Sequence, residues 1–123
     1  MIEKIVVSRI DSAMKKTFLE RLKINHIVSF LDPQYLDNFY NNYIYNIGVD
    51  KAKWDYFILF DVEHRTSYED YPGPQKFHVE RLIEIYKKLI EQPESINILI
   101  HCTAGISRST AASLILLYLI HKD

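Results

Sequence analysis

The residues best able to do chemistry lie together near the C-terminal end, in the run Ile96-Asn97-Ile98-Leu99-Ile100-His101-Cys102-Thr103-Ala104-Gly105-Ile106-Ser107-Arg108-Ser109-Thr110. An apolar strand, a tight loop with one glycine and the start of a helix follow one another. Such a unit turns backbone N–H groups and the positive end of a helix dipole toward one spot, where an oxyanion fits. Thr103, Ala104, Gly105, Ile106 and Ser107 would supply the amides. Arg108 adds a planar fork that grips two phosphate oxygens at once, a geometry lysine cannot copy. Cys102 is the chain's single cysteine and closes the strand on the floor of this concavity. Its surroundings favour thiolate over thiol, and a thiolate facing a bound phosphorus is placed for in-line attack and a cysteinyl-phosphate intermediate. Ser109 can hydrogen-bond the sulfur and ease its departure when water attacks. His101 is expected to brace the loop through backbone contacts.

The rest of the chain must position this loop. Ile5-Val6-Val7 reads as a first strand. Asp11-Ser12 offers an N-cap for a helix over Ala13 to Lys23, with Met14, Phe18 and Leu22 on one face. His26 to Leu31 reads as a buried strand stopped by Asp32-Pro33. Tyr35 to Ile47 shows no clear period and is expected to hold a short helix and then an edge strand around Tyr43-Ile44-Tyr45. Its tyrosines, Tyr35, Tyr40, Tyr43 and Tyr45, are expected in core and edge-strand packing. Trp54 to Phe60 is a further strand, followed by polar, Pro-broken loop chemistry to Pro74. Gln75 to Glu91 is an amphipathic helix with Val79, Leu82, Ile83, Tyr86, Leu89 and Ile90 on one face. A last helix, from about Ser109 to His121, is apolar nearly all round and is expected to be buried and central.

Strands alternating with helices predict an α/β domain spanning 1–123: a largely parallel twisted sheet of four to five strands flanked by helices, with the Cys102 loop between the last strand and a buried helix. The last helix runs to Asp123 with no Gly or Pro stop. Either the domain is unusually small, or the natural chain continues into further helices.

The stretch His101 to Ser109 resembles the cysteine-dependent protein tyrosine phosphatase superfamily, whose signature is His-Cys, five residues, then Arg-Ser/Thr. Its Ala-Gly-Ile-Ser-Arg-Ser core is similar to the dual-specificity branch and its small bacterial tyrosine-phosphatase-like relatives, which Val28 to Pro33 and Ser107 to Ala112 also resemble. The resemblance implies hydrolysis of phosphate monoesters through Cys102, with no metal or organic cofactor. It also implies a general acid, an Asp that protonates the leaving oxygen. Asp61, at the end of the Trp54 to Phe60 strand, is the first candidate; Asp70 and Glu63 are the alternatives. Thr103, Ala104 and Ile106 include no lysine, unlike phosphoinositide-directed loops, so a phosphoprotein side chain or a small phosphate monoester is the expected substrate.

Composition narrows the partners. The 123 residues are 48% hydrophobic and carry net charge −1, which offers no basic field for nucleic acid or acidic lipid. One cysteine makes no intrachain disulfide and no Cys-rich zinc cluster. The N-terminal residues lack the pattern of a secretory signal, so a cytoplasmic protein is expected; the sequence leaves the oligomeric state open, with a monomer the default. A competing reading keeps the pocket and loses catalysis, giving a phosphate-binding pseudophosphatase. Sulfur or arsenic redox chemistry is a third, disfavoured because no second thiol is present to resolve an intermediate.

Overall fold

The structure, a computed structural model, describes residues 1–58, 76–102 and 107–122. Four strands, β1 (Ile2–Arg9), β2 (His26–Leu31), β3 (Trp54–Ile58) and β4 (Ile96–Cys102), form one parallel sheet in the order β1-β4-β2-β3. The short helices α1 (Ile10–Ala13), α2 (Lys16–Arg21) and α3 (Leu36–Asn41) join the first three strands. Helix α4 (Lys76–Ile90) precedes β4 and α5 (Ser107–Lys122) follows it. The expected α/β class, with a parallel sheet and flanking helices, is the observed one.

Because side chains alternate across a strand, each strand divides its residues between two layers. In β4, Ile96, Ile98, Ile100 and Cys102 join Val28, Phe30 and Phe57 in a core with Leu82, Ile85, Tyr86 and Leu89 of α4 and Ala112 and Leu116 of α5. Leu99 joins Ile27, Leu31, Trp54, Ala13, Leu19, Phe39 and Tyr43 in a second core on the opposite face. His26 to Leu31 is buried at every position, as a strand covered on both faces must be.

Several elements differ from the sequence reading. The helix expected from Ala13 to Lys23 is two pieces, broken at Met14 and Lys15, and no side chain caps either start. It ends where Lys23 takes a left-handed conformation (φ 56°) and Ile24 N–H returns to the Leu19 carbonyl. No edge strand forms at Tyr43 to Tyr45. Instead α3 continues as a π-helical stretch, Asn42–Ile47, ended by Gly48 at φ 81°. Packing overrides β propensity here: Phe39, Tyr43 and Ile47 recur every four residues and reach one core, with Phe39 and Tyr43 fully enclosed. Tyr35 and Tyr45 are exposed, so the four tyrosines are not one packed set.

The buried stripe of α4 is Leu82, Ile85, Tyr86 and Leu89; Val79 and Ile90 lie toward solvent. Helix α5 is not the enclosed central helix its composition suggests. Ala112 and Leu116 face the sheet, but Leu114 and Tyr118 are 61% and 66% exposed, because α5 lies on one face of the sheet beside α4. Among the described residues no helix is long and apolar enough to cross a membrane.

At the end of the sheet remote from Cys102, buried His26 Nε2 lies 2.8 Å from Asp55 Oδ2, which Lys88 Nζ of α4 approaches at 3.1 Å. Burial works to raise the Asp55 carboxyl, but its hydrogen bonds to His26 and Lys88 outweigh it and hold the group below its ordinary value of 3.8. This contribution to stability is present above that value and lost as pH falls through the folded one. Asp55→Asn should therefore cost about 1–2 kcal/mol near neutral pH and reduce the loss of stability on acidification, as read by urea melts across that range.

Candidate active site around Cys102

All four strands run the same way, so their C-terminal ends gather along one edge of the sheet. Cys102 is the last residue of β4 and lies in register with Arg9 of β1 and Phe30 of β2. It is flanked by strands on both sides. On one side lies β1, which opens the chain; on the other lies β2, reached from β1 through α1 and α2. In open α/β sheets ligands collect outside the carboxyl ends of strands where connections diverge.

Alternation sends Cys102 into the layer of α4 and α5. Helix α5 begins five residues later at Ser107, and its third residue, Ser109, is buried with Oγ 3.8 Å from Cys102 Sγ. The expected pairing of this hydroxyl with the sulfur is therefore present in the geometry. The strand-to-helix passage also brings the sulfur beside the first turn of a 16-residue helix, the electropositive end of its dipole. Arg108 belongs to that first turn; its side chain and that of Ser107 lie outside the described set, as do residues Thr103, Ala104, Gly105 and Ile106. Asp61, Glu63 and Asp70, the candidate acids, also lie outside the described residues. The described residues bring together Cys102 and Ser109.

His101 points the opposite way, into the aromatic layer. Its Nε2 lies 2.6 Å from Ser29 Oγ and 3.4 Å from Tyr43 Oη, and its ring packs 5.0 Å from that of Phe39. These contacts anchor the imidazole through its side chain; bracing of residues 103 to 106 lies outside the described residues. Burial drives the ring pKa down to about 4, a weaker interaction with the Cys102 backbone opposing it. The ring is accordingly neutral at pH 7. Tyr43, enclosed in the same layer, has its hydroxyl pushed up by burial and stays protonated.

Two site residues were not singled out from sequence. Asp32, read as a strand stop with Pro33 and as part of the Val28 to Pro33 resemblance but given no role, is 6% exposed, one residue beyond the end of β2 on the same edge as Cys102. A carboxyl group so deeply enclosed is suited to holding main-chain or guanidinium donors. Ser29 looked like one polar interruption of an apolar strand, and only the pleat shows that it shares a face with His101. The described residues contain no cluster of three His, Cys, Asp or Glu able to hold a metal ion.

The depressed His101 value has a consequence for stability. Between about pH 6.5 and 4 the unfolded chain binds a proton at this position that the folded one does not, so stability falls as pH drops through that window. Chemical denaturation of His101→Gln should show a slope against pH shallower by up to roughly 1.4 kcal/mol per unit there, beneath a lower stability at pH 7. An unchanged slope would show that His101 is solvated.

Compared with known proteins, the chain matches no family model. No curated protein is a significant match. The likeness to the cysteine-dependent phosphatases therefore rests on the sequence itself, chiefly His101 to Ser109, with Val28 to Pro33 and Ser107 to Ala112.

Proposed function

We propose that the protein is a cysteine-dependent phosphatase that hydrolyses phosphate monoesters on phosphotyrosine or phosphoserine/threonine side chains. The observation that carries this reading is the placement of Cys102 Sγ at the carboxyl end of a central parallel strand, 3.8 Å from Ser109 Oγ in the first turn of α5. A sulfur at a helix N-terminus, followed by loop amides and Arg108, can act on a phosphoryl group with net charge contributing nothing.

In this reading Arg108 and the amides of residues 103 to 107 hold three phosphate oxygens. The Cys102 thiolate attacks phosphorus as the ester P–O bond breaks, and Asp61 passes its proton to the departing oxygen. Water then attacks the cysteinyl-phosphate; the P–S bond breaks, inorganic phosphate leaves, and Ser109 hydrogen-bonds the returning thiolate. No cofactor enters. A lone thiol with this role suits the reducing cytoplasm, where oxidation to a sulfenic acid is reversible by external thiols.

The second reading, a phosphate-binding module without turnover, is favoured by one observation: Cys102 is fully enclosed and belongs to the core of Phe30, Ile100, Ala112 and Leu116. The two readings separate on hydrolysis of para-nitrophenyl phosphate between about pH 4.5 and 8 in the presence of a chelator. The phosphatase should turn over, be inhibited by vanadate, and lose at least about a hundredfold in rate as Cys102→Ser. Arg108→Lys should lose both substrate binding and rate. Asp61→Ala should slow poor leaving groups most and flatten the basic limb of the pH profile. Activity of Cys102→Ser near that of the parent removes Cys102 as nucleophile. Absence of turnover, with tungstate still raising the melting temperature, establishes the binding module.

A further inference from the structure

The sheet edge that carries Cys102 holds a second residue able to bind an anion. Strands β1 and β4 are parallel and stay in register from Lys4 to Arg9, which sets Arg9 directly alongside Cys102. Paired residues of neighbouring strands point to the same face, with their backbones about 5 Å apart. Ile5 packs into the layer of Ile98 and Cys102, and Val7 shares a groove with Ser113 and Leu117 of α5. Arg9 is the next residue in this alternation, so its side chain leaves the sheet on the face of Cys102. Ser8, paired with His101, takes the other face and is buried.

The base of Arg9 is fixed and its tip has no partner. Ser8 Oγ donates to the Arg9 carbonyl at 3.1 Å, and the chain passes at once into α1, whose Ala13 is fully enclosed. The Arg9 side chain is exposed. Among the described residues its guanidinium has no ion pair, hydrogen bond or ring contact, and Asp11, the nearest acid along the chain, makes none with it. A guanidinium so placed offers parallel N–H donors to an incoming carboxylate or phosphate. On the other side of β4, beyond the end of β2, stands the acidic Asp32. The carboxyl edge thus has a cation on its β1 side and an acid on its β2 side, in a chain whose net charge of −1 gives an acidic substrate no general attraction.

We propose that Arg9 is a specificity-determining residue: it receives a second anionic group, a carboxylate or a second phosphate, of a phosphopeptide whose first phosphate faces Cys102. Acidic phosphopeptides are then the preferred substrate class, with the second anion on the β1 side, away from Asp32. The spacing suits this, because about 5 Å is the distance between side chains one to two residues apart in an extended peptide. The inference rests on the reading of Cys102 as the residue that faces phosphate.

Three phosphotyrosine peptides that differ only in their flanking residues (Asn, Asp or phosphoserine) test this. The readouts are kcat/KM for loss of the tyrosine phosphate by the full chain, and equilibrium binding to Cys102→Ser by fluorescence anisotropy. Asp flanks should be preferred to Asn about threefold, the effect of one exposed ion pair, and phosphoserine flanks about tenfold. Both preferences should shrink as salt is raised and fall to near one in Arg9→Gln. Arg9→Lys should keep the Asp preference and lose part of the phosphoserine one. A preference confined to one flanking group identifies that group as the ligand. If all three peptides are hydrolysed and bound alike, or a preference survives Arg9→Gln, the proposal is overturned and the phosphatase reading stands. If none is hydrolysed but binding discriminates through Arg9, the role of Arg9 holds and the phosphatase reading is the one that fails. If none is bound, both fail.

Discussion

Alternation along β4 is the constraint on which the site depends. Neighbouring residues of a strand point to opposite faces, so His101 and Cys102, joined by one peptide bond, belong to different layers of the molecule. The layer of α4 and α5 receives the sulfur and sets it against the start of a helix. The layer of α3 and the π-helical stretch receives the imidazole and fixes it among Ser29, Tyr43, Trp54 and Phe39. Because β4 is central, both layers are already packed around it. A shift of one residue in register would exchange the two side chains and abolish both environments.

Each environment has a distinct energetic logic. Around Cys102 the described packing is apolar, from Phe30, Ile100, Ala112 and Leu116, with the Ser109 hydroxyl and the start of α5 beside the sulfur. Around His101 the packing is aromatic, and the polar atoms serve one another. A buried polar group left unpaired costs about 1–3 kcal/mol, so the link from the Trp54 indole through Ser29 to His101 is stabilising chiefly because each member would be stranded without the next. The π-helical stretch completes this layer. It places Tyr43 next to both Trp54 and His101, with ring centroids 5.4 and 6.2 Å away. π-Helical backbone is uncommon and recurs near functional sites, where side-chain placement takes precedence over regular geometry.

Much of this was legible in the residues and some was not, for identifiable reasons. The parallel α/β class followed from apolar runs separated by helical periods, and His26 to Leu31, with no polar alternation beyond Ser29, read correctly as a strand buried on both faces. The pairing of Cys102 with Ser109 followed from a strand, a short loop and a helix start. The aromatic layer was misread because Tyr43-Ile44-Tyr45 has strand-like composition, although Phe39, Tyr43 and Ile47 keep helical spacing. Helix α5 was misread for the opposite reason. Its apolar composition says that it seeks cover, but composition does not say how many faces the sheet can cover. Ser29 escaped notice because its role exists only once β2, β3 and β4 lie side by side, and adjacency in a parallel sheet depends on crossovers that no local pattern specifies.

If the proposed function holds, the sheet order has to explain how a chain of net charge −1 offers a site for an anion. Net charge supplies no long-range attraction, so an anion site on such a chain would need short-range donors held in place before the anion arrives. Preorganisation of that kind requires a rigid floor. Cys102 is enclosed between β1 and β2 and touches Ser109, while the residue before it is pinned in the opposite layer by hydrogen bonds across β2 and β3. The backbone at the end of β4 is thus held from both faces at the point where it leaves the sheet. The 16-residue helix that carries Ser109 packs through Ala112 and Leu116 into the same core as Cys102. Under the proposed phosphatase reading, that rigidity of the strand end, rather than net charge, is what would hold Cys102 ready for a phosphoryl group.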